Sequence, residues 1–431
     1  MYHRDRKVSR SVLSVSGRID VHRTRWQQAK GGSPKTEALP SPVPVDALLD
    51  RVHATVSLGV QELCCRLGIA GGSLERSAEN LFRASGLRIG EESFRQIIEN
   101  EGRAILEAAH AEVLPTQWVA KDCLTPDSAG KEVSRVYVSA DGVMVPVTTQ
   151  AEKDRRRETV EKRRSDKPKQ RGVRRGRLRA VKKGADQRYK QHYLTVIYGQ
   201  DKKKHKLVSV TRGNHESMGR VLARDSRVLR LAGAQEKIGL VDGAVCLRRN
   251  LEGLTLTAVG LDFFHLSEHV HADYLECGDP AVPGKVNGVK KRKAARQTMP
   301  PEAPKPEGSQ SPAWVSDVLS TAKHEGYAPF WDKLVKRRNG LKGSRRTKAD
   351  KLLHYVAQRE EMIAYDKFGA KGWDIGTGPM ESMCKATTRR IKGPGMRWDA
   401  ENAESLMAME GLYQSNLWDA WWAQKHGKIA A

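Results

Sequence analysis

The chain has 431 residues and carries 76 Lys or Arg against 51 Asp or Glu, a formal charge of +25. Its hydrophobic share of 39% is enough for a folded core, which excludes a chain disordered throughout. No uncharged apolar run approaches the roughly 18–20 residues of a membrane span, and no apolar stretch follows the N-terminal residues as in a signal peptide. The positive surplus predicts a polyanionic partner, which could be DNA, RNA or an acidic membrane face.

Residues 1–30 alternate loosely between apolar and polar side chains around Ser16-Gly17, which predicts an N-terminal hairpin arm. A helical pattern covers residues 44–125, which we interpret as a putative DNA-binding domain. Within it, two predicted helices at 73–85 and 91–101 flank a turn containing glycine. This pair is either a helix-turn-helix that enters the major groove or an ordinary packed helical pair.

The middle of the chain predicts an α/β sheet with an antiparallel start and a parallel finish. Two β-rich runs surround Asp141-Gly142, and a catalytic domain is expected at 131–277 plus 371–415. A basic insertion at 150–190 contains 18 Lys or Arg and six Asp or Glu within 152–190, so we expect it to be mobile without a partner. A second insertion at 278–370 is rich in Pro and Lys and then helical. The C-terminal tail, 416–431, has three Trp on one helix face that favour core packing.

Three carboxylates stand at the ends of predicted elements. Asp141 ends the first strand, Asp242 ends a later strand, and Glu381 opens a helix after Pro379. Each has an ordinary explanation, since Asp-Gly favours hairpin turns, Asp242 could be a plain loop residue, and the first turn of a helix favours acids. Together, their order matches a ribonuclease-H-like sheet on which three acids converge.

Converging carboxylates require a cation. Two of them about 4 Å apart repel by about 4 kcal/mol at an effective dielectric of 20, enough to protonate one near neutrality. A pair of Mg²⁺ or Mn²⁺ ions removes that repulsion and suits oxygen ligands. The six cysteines, at 64, 65, 123, 246, 277 and 384, form no Cys-x2-Cys pair, so we expect reduced thiols in the cytoplasm and neither disulfides nor a zinc finger.

Five strings carry a resemblance to a known family: SADGVMVP at 139–146, VDG at 241–243, LDFFHLSEH at 261–269, IGTGPMES at 375–382 and RIKGPGMRW at 390–398. They resemble the DDE transposases of bacterial insertion sequences, most closely the ISKra group, a relative of the Mutator superfamily. The resemblance implies a ribonuclease-H-like catalytic domain interrupted by a helical insertion. It also implies that Asp141, Asp242 and Glu381 form the catalytic triad and hold two Mg²⁺ or Mn²⁺ ions.

The same resemblance implies the partners. They are double-stranded DNA with terminal inverted repeats and target DNA, handled by a homodimer or higher oligomer. From composition and cysteine usage we expect the protein in the cytoplasm, associated with the nucleoid and not with a membrane. Asp262 and His265 resemble the Asp-x2-His element of Mutator-like enzymes and are expected to assist, although Asp262 could simply cap the following helix. DNA contacts are expected from Arg389, Arg390, Lys392, Arg397 and Trp398, and from Arg174, Arg175 and Arg177 of the basic insertion, with the Arg and Lys side chains on phosphate.

Two other functions remain open. One is a non-catalytic DNA-binding regulator derived from a transposase. The other is a zinc peptidase, because His265-Leu-Ser-Glu268-His269 matches the inverted His-x-x-Glu-His signature. That five-residue pattern is short and explains none of the positive charge.

Overall fold

The computed structural model describes residues 2–28, 55–166, 178, 180–277 and 312–430. Among them, no helix has the length and apolarity to cross a membrane. The chain divides into two compact units: the first contains Met1–Ala120, Asp141–Leu231 and Pro379–Ala431, and the second contains Lys121–Ala140 and Ala232–Gly378. The predicted contacts Arg174, Arg175 and Arg177, the start of the predicted helical region at 44–54, and the Pro- and Lys-rich stretch at 280–311 lie outside the described residues.

The described part of the chain contains these strands and helices, in chain order. The strands are β1 (Tyr2–Ser14), β2 (Gly17–Gln28), β3 (Leu124–Pro126), β4 (Glu132–Pro146), β5 (Tyr189–Gly199), β6 (Lys206–Thr211), β7 (Glu236–Val241) and β8 (Ala258–Leu261). The helices are α1 (Leu58–Ala70), α2 (Leu74–Ser85), α3 (Glu91–His110), α4 (Gln150–Ser165), α5 (His215–Val228), α6 (Val245–Glu252), α7 (Phe263–Cys277), α8 (Ala313–His324), α9 (Tyr327–Asn339), α10 (Gly343–Ala357), α11 (Tyr365–Ala370), α12 (Gly378–Arg389), α13 (Ala400–Gln414) and α14 (Trp418–Ala430).

The predicted N-terminal hairpin is confirmed. β1 and β2 pair antiparallel, and Ser14 and Gly17 close the turn. Gly17 has φ +106°, a conformation that L side chains rarely adopt, so glycine belongs there. Leu13 fixes the arm to the chain that follows, because its backbone bonds to Thr55 and Ser57.

The two predicted helices of the N-terminal region are confirmed as α2 and the first half of α3. Gly86 ends α2 in the left-handed conformation, with φ +71°. α3 packs closely on α13, because a Cβ added at Gly102 would lie 2.4 Å from the carbonyl oxygen of Ser405. Arg95, a basic residue of α3, is held by Glu92 and Glu99 of the same helix. These contacts favour the packed helical pair over a helix that reads DNA.

The main sheet has six strands and confirms an antiparallel start and a parallel finish. Five strands follow the order β6–β5–β4–β7–β8, and β3 pairs with β4. β5 and β6 are antiparallel, whereas β4 pairs parallel with β7, and β7 with β8. In the second unit, Ser139 of β4 pairs with Leu240 of β7.

The turn and strand end predicted at Asp141-Gly142 are wrong, because β4 continues through both residues to Pro146. Gly142 is not among the described glycines with positive φ, which a tight hairpin turn would need. A Cβ at Gly142 would lie 2.2 Å from Nε2 of Gln191, so this glycine makes room for a side chain of β5. Buried Val143 and Val145 then carry the strand onward.

The basic insertion also departs from expectation in its first part, which forms helix α4. Thr149 and Glu152 make a reciprocal capping box at its start. Lys153 is buried and lies 2.7 Å from Asp399, which fixes one face of the helix. A strongly charged segment is ordered here because its end is capped and its lysine is paired.

The second unit carries the helical insertion. Helices predicted at 314–325 and 328–338 are confirmed as α8 and α9. The third, predicted at 348–365, corresponds to α10 but ends at Ala357; a short turn at Glu360–Met362 and α11 follow. In the first unit, Trp418, Trp421 and Trp422 are buried, as predicted for the tail.

Candidate active site

Asp141 lies within β4, where both carboxylate oxygens accept hydrogen bonds. Its Oδ1 accepts from the N–H of Gly142 at 2.6 Å. Its Oδ2 accepts from Sγ of Cys384 at 3.4 Å. Cys384 belongs to α12, three residues after Glu381, so the helix that carries the predicted third acid lies against Asp141.

Glu381 occupies the first turn of α12, as predicted. Its carboxylate pairs with Lys385 at 2.8 Å, and both side chains are 65% exposed. Burial raises the pKa of the Cys384 thiol, and the negative charges of Asp141 and Glu381 raise it further. The first unit therefore brings Asp141 and Glu381 close to one buried, protonated thiol.

Asp242 and Asp262 follow neighbouring parallel strands of the second unit. Val241 pairs with Leu261 at the ends of β7 and β8, and the next residues are Asp242 and Asp262. The N–H of Asp262 donates to the carbonyl of Val241 at 2.8 Å. Oδ1 of Asp242 accepts from the N–H of Ala244 at 2.8 Å, which stabilises the turn after β7. These two carboxylates thus lie at the same edge of the sheet.

Asp262 is a buried carboxylate that accepts two backbone hydrogen bonds. Its Oδ1 accepts from the backbone N–H of Thr377 at 3.0 Å and of Phe264 at 3.3 Å. The second bond caps the start of α7, as the simpler interpretation of this residue predicts. Burial raises the pKa of Tyr355 to about 12, against the lowering effect of Arg359, and the charges of Asp242 and Asp262 add to the increase.

His265 and His269, the two histidines of the predicted zinc motif, contact different side chains. His265 is partly exposed, and its Nδ1 lies 3.6 Å from Oε2 of Glu268. The ring of His269 stacks on Tyr355 with a centroid distance of 3.9 Å. Burial lowers the pKa of His269, and His265 and Arg359 lower it further. Among the described residues, no three or more His, Cys, Asp or Glu side chains are grouped so as to hold a metal ion.

The predicted DNA-contact loop separates into exposed and buried residues. Arg389 and Lys392 are exposed. Arg390 is buried and donates to the carbonyls of Gly68 and Gly72, and Trp398 is buried with its indole N–H on the carbonyl of Ile391. Arg397 lies 3.2 Å from Glu152. We therefore keep Arg389 and Lys392 as candidate phosphate contacts and assign Arg390 and Trp398 to packing.

Three residues at these sites were not found from the sequence: Cys384, Tyr355 and Arg359. The spacing of Cys384 from Glu381 by one helical turn was an available signal, because such residues share a helix face. Tyr355 and Arg359 lie more than 100 residues after the Asp242-Gly243 turn that they contact, so no local pattern could indicate them.

A comparison of the chain with protein-family models found no match, and a comparison with curated proteins found none either.

Proposed function

We propose that this chain is a DDE-type DNA transposase with a ribonuclease-H-like catalytic domain interrupted by a helical insertion. The observation that carries the proposal is the contact between Cys384 and Asp141, because it brings Asp141 to the helix that carries Glu381. Asp242 is at the end of its strand, as the resemblance requires. In the strand order, β4 also lies between the antiparallel hairpin β5–β6 and the parallel pair β7–β8, which supports this fold proposal.

The chemistry of the proposed ligands fits a hard divalent cation. Asp141, Asp242 and Glu381 offer carboxylate oxygens, which Mg²⁺ and Mn²⁺ prefer. Burial and the neighbouring acids raise the pKa of the Cys384 thiol, whose S–H donates to Asp141. When bound, two such ions would activate the attacking oxygen and stabilise the leaving oxygen of a phosphodiester.

The protein's own groups would orient the acids. The N–H of Gly142 and the thiol of Cys384 fix the two oxygens of Asp141. The N–H of Ala244 fixes Oδ1 of Asp242. Arg389 ends the helix that carries Glu381, Lys392 follows that helix, and both would bind DNA phosphates. The proposed substrates are the terminal inverted repeats and target DNA, held by a homodimer or higher oligomer.

The test uses a plasmid that carries the gene with its native flanking DNA. We expect wild-type protein to cleave this plasmid in the presence of Mg²⁺ or Mn²⁺ and to join the ends to a second DNA. Asp242→Asn and Glu381→Gln should abolish cleavage and retain DNA binding in a mobility-shift assay. Equal cleavage by wild type and both variants would overturn the triad, and binding without cleavage by the wild type would identify a regulator instead.

A further inference from the structure

The helical insertion contacts the turn that follows β7. Nε and Nη2 of Arg359 donate to the carbonyl oxygen of Gly243 at 3.0 and 2.7 Å. Gly243 has φ +85°, and a Cβ there would lie 2.5 Å from Nε of Arg359 and 2.7 Å from Cδ1 of Leu261. The turn is therefore shaped around a guanidinium that the chain supplies 116 residues later.

Tyr355 contacts the residue before this glycine. Its hydroxyl donates to the backbone carbonyl of Asp242 at 3.4 Å. Arg359 in turn donates from Nη1 to the carbonyl of Tyr355 at 2.8 Å and lies 3.8 Å from the centre of its ring. The ring of His269 stacks on the same tyrosine. Arg359 and His269 thus both contact Tyr355. Arg359 and Tyr355, which belong to the insertion, hydrogen-bond two consecutive carbonyls of the Asp242-Gly243 turn.

We propose that Arg359 and Tyr355 are positioning residues for Asp242, and that the insertion in this way organises the metal-binding edge of the second unit. This inference rests on the proposed function. Arg359 suits the role because its guanidinium stays charged and presents its N–H groups in a fixed planar fork. Glycine can adopt many backbone conformations. Two hydrogen bonds to the carbonyl of Gly243 therefore restrict the backbone of the turn, and with it the position of the Asp242 carboxylate. Groups that orient metal ligands typically change metal affinity about 10–100-fold when removed.

The test measures Mn²⁺ binding to the full chain by isothermal titration without DNA. We expect the wild type to bind Mn²⁺ through Asp242, and we expect Arg359→Ala to weaken this binding about tenfold. Arg359→Lys should recover part of the loss because one donor remains, and Tyr355→Phe should have a smaller effect because it keeps the ring beneath Arg359. The matched control is Arg338→Ala, which removes the 2.7 Å pair with Asp350 inside the insertion and should leave Mn²⁺ binding unchanged.

The outcomes separate this inference from the proposed function. If wild type and Asp242→Asn bind Mn²⁺ equally, or neither binds it, the proposed metal site itself fails. If wild type binds through Asp242 and Arg359→Ala binds equally well, the positioning role is overturned and the proposed function stands. Should Arg359→Ala fail to fold, unchanged affinity in both Arg359→Lys and Tyr355→Phe would overturn the role, and weaker binding in both would support it.

Discussion

The thiol of Cys384 lies 3.4 Å from Oδ2 of Asp141 and one helical turn from Glu381. The neutral thiol thus donates to Asp141, one proposed metal ligand, and belongs to the same helix as Glu381, another proposed ligand. A thiolate would add a third negative charge near these two acids, and burial together with both acids favours the protonated thiol by raising its pKa.

The first prediction follows from that raised pKa. In native protein at pH 8, iodoacetamide should modify the partly exposed Cys246 well before Cys384, because the thiolate is the reactive form. Asp141→Asn should speed the labelling of Cys384, since it removes a charge that raises the thiol's pKa. Mass spectrometry of digested samples measures both rates, and equal labelling of Cys246 and Cys384 in wild type would contradict the prediction.

The second prediction separates the two roles of Asp262. Asp262→Ala removes the acceptor for two backbone N–H groups, so we expect about 1–3 kcal/mol of destabilisation for each donor left buried. Asp262→Asn keeps a carbonyl acceptor and should stay close to wild type in urea unfolding. If Asp262→Asn folds normally but loses cleavage, the charge of Asp262 assists the reaction; if it cleaves normally, the residue is a helix cap.

The third prediction concerns pH. Burial lowers the pKa of His192 in β5 below its usual 6.5 in the folded state. The folded state therefore binds a proton less readily than the unfolded chain, so this contribution to stability is present above pH 6.5 and is lost as the pH falls through the folded pKa. His192→Gln should lower the slope of unfolding free energy between pH 7 and 5, by at most about 1.4 kcal/mol per pH unit. Urea titrations at several pH values provide the measurement, and parallel curves for wild type and variant would contradict it.

The fourth prediction concerns salt. If about eight DNA phosphates are neutralised, a fourfold increase in salt should weaken binding about 10⁴-fold. Replacing both Arg389 and Lys392 by Ala should reduce the slope of log affinity against log salt by about two. Fluorescence anisotropy measures this slope, and a flat response in wild type would show that the positive charge does not serve DNA binding.

Hydrophobic periodicity predicted β5, β6, α5, β7, α6 and β8 in their order, but it did not predict β3 or α4. Asp242 and Glu381 stand at the element ends that local sequence indicated. The sequence misled at Asp141-Gly142, because a dipeptide typical of turns is here a strand position that accommodates Gln191. It also gave no sign that Arg390 would be buried, since the carbonyls of Gly68 and Gly72 lie more than 300 residues earlier. Long-range partners, which local patterns do not encode, account for both differences.

The packing of α3 on α13 has a consequence for biosynthesis. Gly102 lies against the backbone of Ser405, and the indole N–H of Trp421 bonds to Glu101, 320 residues earlier. α3 therefore leaves the ribosome long before α13 exists, and the side of α3 that packs on α13 stays uncovered during translation. A nascent chain that stops before α13 would expose that side to solvent, so premature termination should yield aggregates rather than a shortened folded product.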